Sequence, residues 1–248
     1  MASPSMPKII LILGAGSNIG AALAQAFAAK GYKVASASRT PPKTTTTGVP
    51  PDLHIPVDLA KPETVPAVFE RVRKELGGEV GVVVYNAALF SPDPADPLSL
   101  FTPESIQGYH ASQSVNATAA LVALQESVKA FRKLPATAAS SSSKTFIFTG
   151  NMLNVKTLKG MLNFGLGKTA TAYAIRYLVE NKIYADEGFK FYYADERTPE
   201  GKPVGTAVSG SAAAVEYVKL AEQQDQGPWL YTFVKDAGYK DFERAERL

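Results

Sequence analysis

The sequence predicts an α/β fold, doubly wound around a seven-stranded, mostly parallel sheet with helices on both faces. Three observations carry that expectation. Short apolar runs alternate with helical stretches of roughly 12 to 25 residues, the pattern that sets right-handed crossovers between parallel strands. The first apolar run ends in glycines that open directly into a helix. The chain has 248 residues, 46% hydrophobic and 20% charged, enough to bury a full core as one domain over residues 1–248.

Each element has its own reason. Residues 8–13 (KIILIL) are a continuous apolar run, too short for a helix and suited to a strand buried on both faces. Residues 19–30 are alanine-rich, with Leu23 and Phe27 on one face, and predict a helix stopped by Gly31. Residues 33–37 predict a second strand; 40–51, with four prolines and a threonine run, predict a loop. A third strand follows over 54–57, then a helix over 62–76 with Pro62 in its first turn, then a fourth strand over 79–85. Three prolines make 91–97 a surface loop. Residues 107–133 predict one long helix, and the Ser- and Ala-rich 135–143 a mobile connector. The remaining strands are expected over 144–149, 189–194 and 229–234, and the remaining helices over 162–181 and 211–224. Residues 1–7 are expected to be flexible, and 195–210 to form a substrate loop.

Composition narrows the chemistry. There is no cysteine, which excludes disulfide frameworks, zinc ribbons and a thiol nucleophile. With only two histidines, a three-histidine metal site is impossible and no metal is expected. Eleven tyrosines make a phenol the easier source of acid–base chemistry. The net charge is +3, and the lysines and arginines are scattered, which argues against nucleic acid as partner and leaves room for an anionic ligand. No apolar stretch is long enough to cross a bilayer, and the first residues lack a signal-peptide layout, so a cytoplasmic protein acting on a small molecule is expected.

The glycine loop is Gly14-Ala15-Gly16-Ser17-Asn18-Ile19-Gly20. Between a strand and a helix, such a loop brings backbone close to a pyrophosphate and aims a helix N-terminus at it, the arrangement of a Rossmann-type dinucleotide site. After the second strand, Ser38-Arg39 stands where an acidic residue would grip a ribose 2′-hydroxyl. An arginine there suits a 2′-phosphate, so NADP(H) is expected over NAD(H). Asp58, after the third strand, is placed to accept from an adenine amino group or to cap a helix.

From about Lys8 to Val234 the order of features resembles the short-chain dehydrogenase/reductase family. The glycine loop is similar to that family's T-G-x-x-x-G-x-G, with Leu13 for Thr and Asn18 for the middle Gly. Asn86-Ala87-Ala88 resembles its N-A-G, and Asn116 its active-site Asn. The family's catalytic Ser aligns with Asn151, its Tyr with Phe164 and its Lys with Lys168. The spacing is kept while two of the four side chains change. The resemblance implies cofactor contacts at Gly14, Gly16, Ser17, Asn18, Ile19, Gly20, Asn86, Ala87 and Lys168, and a homodimer or homotetramer paired through the long helices.

Phenylalanine donates no proton, and losing a general acid costs about 10² to 10⁴ in rate. Three readings remain open. In one, the protein reduces an acceptor that needs no tyrosine proton, such as an imine or iminium ion, with Phe164 offering a ring face and Asn151 orienting the substrate. A variant relocates the acid to Tyr193 or the following Asp195-Glu196-Arg197, where Asp195 would also balance a cation. In the second, the fold serves non-redox catalysis such as cyclisation. In the third it is a catalytically silent NADP(H) sensor or scaffold.

Overall fold

The structure is a computed structural model; it describes residues 6–41, 50–134 and 144–242. The expected connector over 135–143, most of the 40–51 loop and most of the N-terminal segment lie outside the described residues.

Among the described residues, eight strands form one sheet: β1 (Ile9–Leu13), β2 (Lys33–Ser38), β3 (Leu53–Pro56), β4 (Val82–Tyr85), β5 (Thr145–Thr149), β6 (Lys190–Arg197), β7 (Leu230–Val234) and β8 (Gly238–Tyr239). Their order is β3-β2-β1-β4-β5-β6-β7-β8. The first seven are parallel and correspond to the predicted strands; β8 is a two-residue antiparallel addition to β7. The chain reverses direction across the sheet between β1 and β4, and that switch opens a crevice at the strands' carboxyl ends.

The helices are α1 (Ile19–Ala29), α2 (Val65–Leu76), α3 (Ile106–Gln113), α4 (Ala119–Lys133), α5 (Leu162–Glu180) and α6 (Gly210–Glu222). Successive strand residues point to opposite faces, and both faces are apolar, so the strands read as unbroken hydrophobic runs. On one face Leu11, Val83, Phe146 and Phe191 pack with Phe69, Ala123 and Ile175 from α2, α4 and α5. On the other, Ile10, Val84, Ile147 and Phe233 pack with Phe27 of α1 and Tyr217 of α6.

Two expectations need correction. The long helix over 107–133 is broken by a π-helical turn at Ser114–Thr118, between α3 and α4. Such turns insert one residue into an otherwise regular ladder, and hydrophobic periodicity does not register them. The sixth strand does not stop at 194: β6 continues through Asp195, Glu196 and Arg197, which pair with Thr232, Phe233 and Val234 of β7. The substrate loop therefore does not begin at 195. β7 starts later than β5 along the sheet, so β6 must run past β5 to pair with it.

Candidate active site

The glycine loop is strapped to the residue pair that follows β4. Leu13 O accepts from the backbone N–H of Asn86 (2.7 Å) and Ala87 (3.1 Å), and Asn86 Nδ2 donates to Gly14 O at 2.9 Å. Gly14 has φ +90°, and a Cβ there would lie 2.4 Å from Ala87 N, so only glycine fits. Gly20 begins α1 against Ala15, where a Cβ would meet the Ala15 Cα at 2.7 Å. Gly16 is different: a Cβ would meet nothing within 4 Å, while its N–H donates to Gly14 O (2.9 Å) and its C=O accepts from Ala21 N (3.0 Å).

A cleft of about 870 Å³ starts at this loop. Gly14, Gly16 and Ser17 line it with Arg39, Asp58, Asn86 and Ala87, and it ends against Ala88, Leu89 and Val115. Arg39 is exposed and has no ion pair among the described residues. One oxygen of Asp58 accepts from Ala60 N at 3.1 Å. Two residues of the loop point elsewhere. Ile19 is buried in the core beneath α1. Asn18 spends its amide on the start of α6: Nδ2 donates to Val208 O and Oδ1 accepts from Gly210 N, both at 2.9 Å. Gly210 is required there, since a Cβ would lie 2.5 Å from Asn18 Oδ1.

The second group of residues sits past β5. Asn116 is fully buried in the π turn, and its amide holds residue 89 from both sides: Leu89 N donates to Oδ1 (3.0 Å) and Nδ2 donates to Leu89 O (2.8 Å). Gly167 lets α5 press onto this turn, because a Cβ would meet the Asn116 Cβ at 2.6 Å. One residue later Lys168, 4% exposed, donates from Nζ to Thr149 O at 2.9 Å. Its ammonium lies over the Phe148 ring (4.4 Å) and the Phe164 ring (5.3 Å). Burial pulls the Lys168 pKa down to about 7, and the Asp195 carboxylate pulls the other way.

Asn151 follows β5 in extended conformation, and its Oδ1 accepts from Leu153 N at 3.1 Å. That bond turns its Nδ2 outward as a donor. Tyr193 crosses over Gly150 to reach the same residue: its hydroxyl donates to Asn151 O (2.9 Å) and accepts from Asn151 N (3.1 Å). A Cβ on Gly150 would lie 2.1 Å from that ring. Tyr193 is fully buried, and burial holds its pKa above the usual phenol range. It positions Asn151 and is sealed from the cleft.

Asp195, Glu196 and Arg197 form no solvated cluster. Each lies in β6, below 10% exposed. Asp195 pairs with Arg197, whose Nη1 donates to Gly201 O at 3.1 Å, and Glu196 accepts from Ser209 N at 2.7 Å. Burial raises the Asp195 pKa to about 6 against the pull of Arg197 and Lys168.

Sequence reasoning passed over four residues. Leu89 and Phe90 stand exposed, Phe90 against the Phe164 ring; their signal is an apolar pair in a loop otherwise built of prolines and aspartates. Asp93 accepts from Leu162 N (2.6 Å) and Asn163 N (3.0 Å), satisfying the first turn of α5 from 69 and 70 residues away, which no local pattern reveals. Asn154 has both side-chain amide atoms buried with no partner among the described residues.

The comparisons agree with this architecture. The family model for short chain dehydrogenase matches residues 8–170. The chain is 39% identical over 257 aligned positions to the short chain dehydrogenase/reductase dmxR12 of Cryptosporiopsis sp. (strain 8999), covering 98% of this chain and 96% of that protein. Among solved structures it is similar to an alcohol dehydrogenase from the archaeon Thermococcus sibiricus complexed with 5-hydroxy-NADP. That likeness has TM-score 0.67 and 18% identity, over 95% of this chain and 99% of the other. It is also similar to the NADH-dependent reductase A1-R′ complexed with NAD, with TM-score 0.72 and 18% identity, over 91% and 94% of the two chains. The structural likenesses show the fold; with the family match and the 39% relative, the chain belongs to the short-chain dehydrogenase/reductase family of oxidoreductases.

Proposed function

We propose that the protein is an NADP(H)-dependent reductase of an acceptor that needs no tyrosine proton, an imine or iminium ion. The observation that carries this reading is the Phe164 ring lying over Lys168, where the family resemblance puts a phenol.

The residues fit a dinucleotide. The cleft volume is of the size that holds a cofactor, and Gly16 adds no side chain to narrow it. Gly14, Gly16 and Ser17 at the start of α1 would hold the pyrophosphate, Arg39 the 2′-phosphate, Asp58 the adenine edge and Lys168 the nicotinamide ribose. When bound, the nicotinamide supplies hydride. The chain's own part is orientation and electrostatics. Asn151 Nδ2 offers a fixed donor to a heteroatom, and the Phe164 face favours a cation. Asp195 sets a buried negative charge against Lys168 and Arg197. An iminium carbon accepts hydride and becomes a neutral amine, so no side chain has to supply a proton.

The test uses N-methyl-3,4-dihydroisoquinolinium, whose charge does not titrate, beside simple ketones, following NADPH oxidation. Turnover of the iminium at least about 10²-fold above the ketones is expected, the margin a missing acid sets. Equal ketone turnover, or none with any acceptor, sinks the reading. Product formed equally well with oxidised cofactor would point instead to non-redox catalysis.

Tyr173 and Tyr177 on α5 and Leu121 on α4 are exposed large side chains. They are the faces through which a homodimer or homotetramer would pair, and light scattering on the purified protein tests it.

A further inference from the structure

We propose that the substrate is an apolar, ring-bearing molecule with one hydrogen-bonding edge, seated against Phe90 and Phe164 with that edge turned to Asn151. The inference rests on the reductase reading only for which end of the substrate reacts.

Phe90 is 52% exposed and meets Phe164 edge to face at 5.7 Å. Leaving half a phenyl group in water forfeits part of its burial, so an exposed ring next to a cleft is a surface for a partner. Its placement is enforced. Asn116 clamps the preceding residue by its N–H and its C=O, and Asp93, three residues on, binds the first turn of the helix that carries Phe164. Leu89 continues the apolar surface into the cofactor cleft. The segment after β5 packs on the same helix: Thr169 Oγ1 donates to Leu153 O, and a Cβ on Gly165 would touch the Leu153 side chain at 3.8 Å. Val155 and Leu158 of that segment are exposed at 44% and 40%. Its lysines, Lys156 and Lys159, are also exposed.

Beside this apolar surface stands one amide with a free donor: the Asn151 oxygen accepts from Leu153 N, and its nitrogen is bonded to no group among the described residues. A polyhydroxylated substrate needs a partner for every hydroxyl it loses from water, and one amide does not supply them. A fused or aromatic ring system with a single imine or carbonyl edge matches both the apolar surface and the single amide.

The experiment has a binding arm and a turnover arm, both on the full chain. The probe for binding is 2-naphthol, followed by its fluorescence anisotropy in the presence of NADP⁺. Wild-type protein should bind it, galactitol should not displace it, and Phe90→Ser should weaken it by at least about tenfold, with Phe90→Tyr restoring it. Asn151→Leu should weaken the probe by about tenfold. In turnover, 3,4-dihydroisoquinoline and 1-pyrroline carry the same reactive group with and without a fused ring. A kcat/KM at least about tenfold higher for the fused ring, lost in Phe90→Ser, is expected. Displacement by galactitol, unchanged binding in Phe90→Ser, or equal turnover of the two imines would overturn the proposal. Turnover of neither imine, with naphthol binding and its Phe90 dependence intact, would strike the reductase reading alone.

Discussion

Along the β1–β4 edge of the sheet, the cleft keeps free room and a free charge: the space beside Gly16 is empty, and Arg39 is exposed without an ion pair among the described residues. Along the β5–β7 edge the chain has bound its own: Lys168 to Thr149, Asn151 to Leu153 and Tyr193, Asp195 to Arg197, Glu196 to Ser209. The open edge leaves the Arg39 guanidinium free for an anion. The closed edge is fixed before any ligand arrives, which is how a site keeps a donor or a charge aimed without reorganisation. The difference teaches that one edge of the sheet leaves a charge free for an anion, while the other is tied into a single arrangement before any ligand arrives.

Restoring the lost hydroxyls would break that contrast most strongly. Phe164→Tyr with Asn151→Ser should raise ketone reduction by about 10² to 10⁴, measured as NADPH oxidation. No gain would mean that the ties around Asn151 and Lys168, and not the missing acid alone, set the chemistry.

Next come the glycines of the open edge. Gly14→Ala should cost about 3 kcal/mol in a denaturant titration, because the positive φ and the Ala87 backbone both oppose a Cβ. Gly16→Ala should leave stability within about 1 kcal/mol, since helix starts tolerate alanine and its Cβ meets nothing, yet weaken cofactor binding by calorimetry. Equal stability losses would erase the distinction between a packed and an open glycine.

Arg39→Ala should weaken NADPH by about 10- to 100-fold, the range for a charge-assisted contact, and leave NADH unchanged. Parallel weakening of both would remove the 2′-phosphate contact.

The smallest effect concerns Lys168. Its folded pKa is depressed from 10.5 to about 7, so the stability tied to it is present above the unfolded value and is lost as pH falls through about 7. Lys168→Met should therefore raise the melting temperature by a few degrees, and by more on the acid side of neutrality than on the alkaline side. The reverse trend would show that attraction to Asp195 outweighs burial.

Much of the open edge was legible in the sequence because its logic is local. A strand, a glycine loop and a helix follow one another within about twenty residues of the first strand's start, and Ser38-Arg39 sits directly after a strand. The closed edge was legible only as spacing. Asn151, Phe164 and Lys168 announce their positions by their separation, but whether Asp195, Glu196 and Arg197 face water depends on how far β7 runs alongside β6. The side chain of Asn18, read as part of a phosphate loop, reaches a backbone about 190 residues away.

By itself the sequence determined the layering of the fold, the place of the cofactor loop and the absence of a phenol at position 164, since apolar periodicity, glycine spacing and residue identity are carried along the chain. Only the tertiary structure decided that Tyr193 is sealed behind Gly150, that Asn116 clamps Leu89 through a π turn, and that three consecutive charged residues are buried. Those outcomes depend on which distant backbone stands opposite each side chain. A buried polar group takes whichever partner the packing brings within reach.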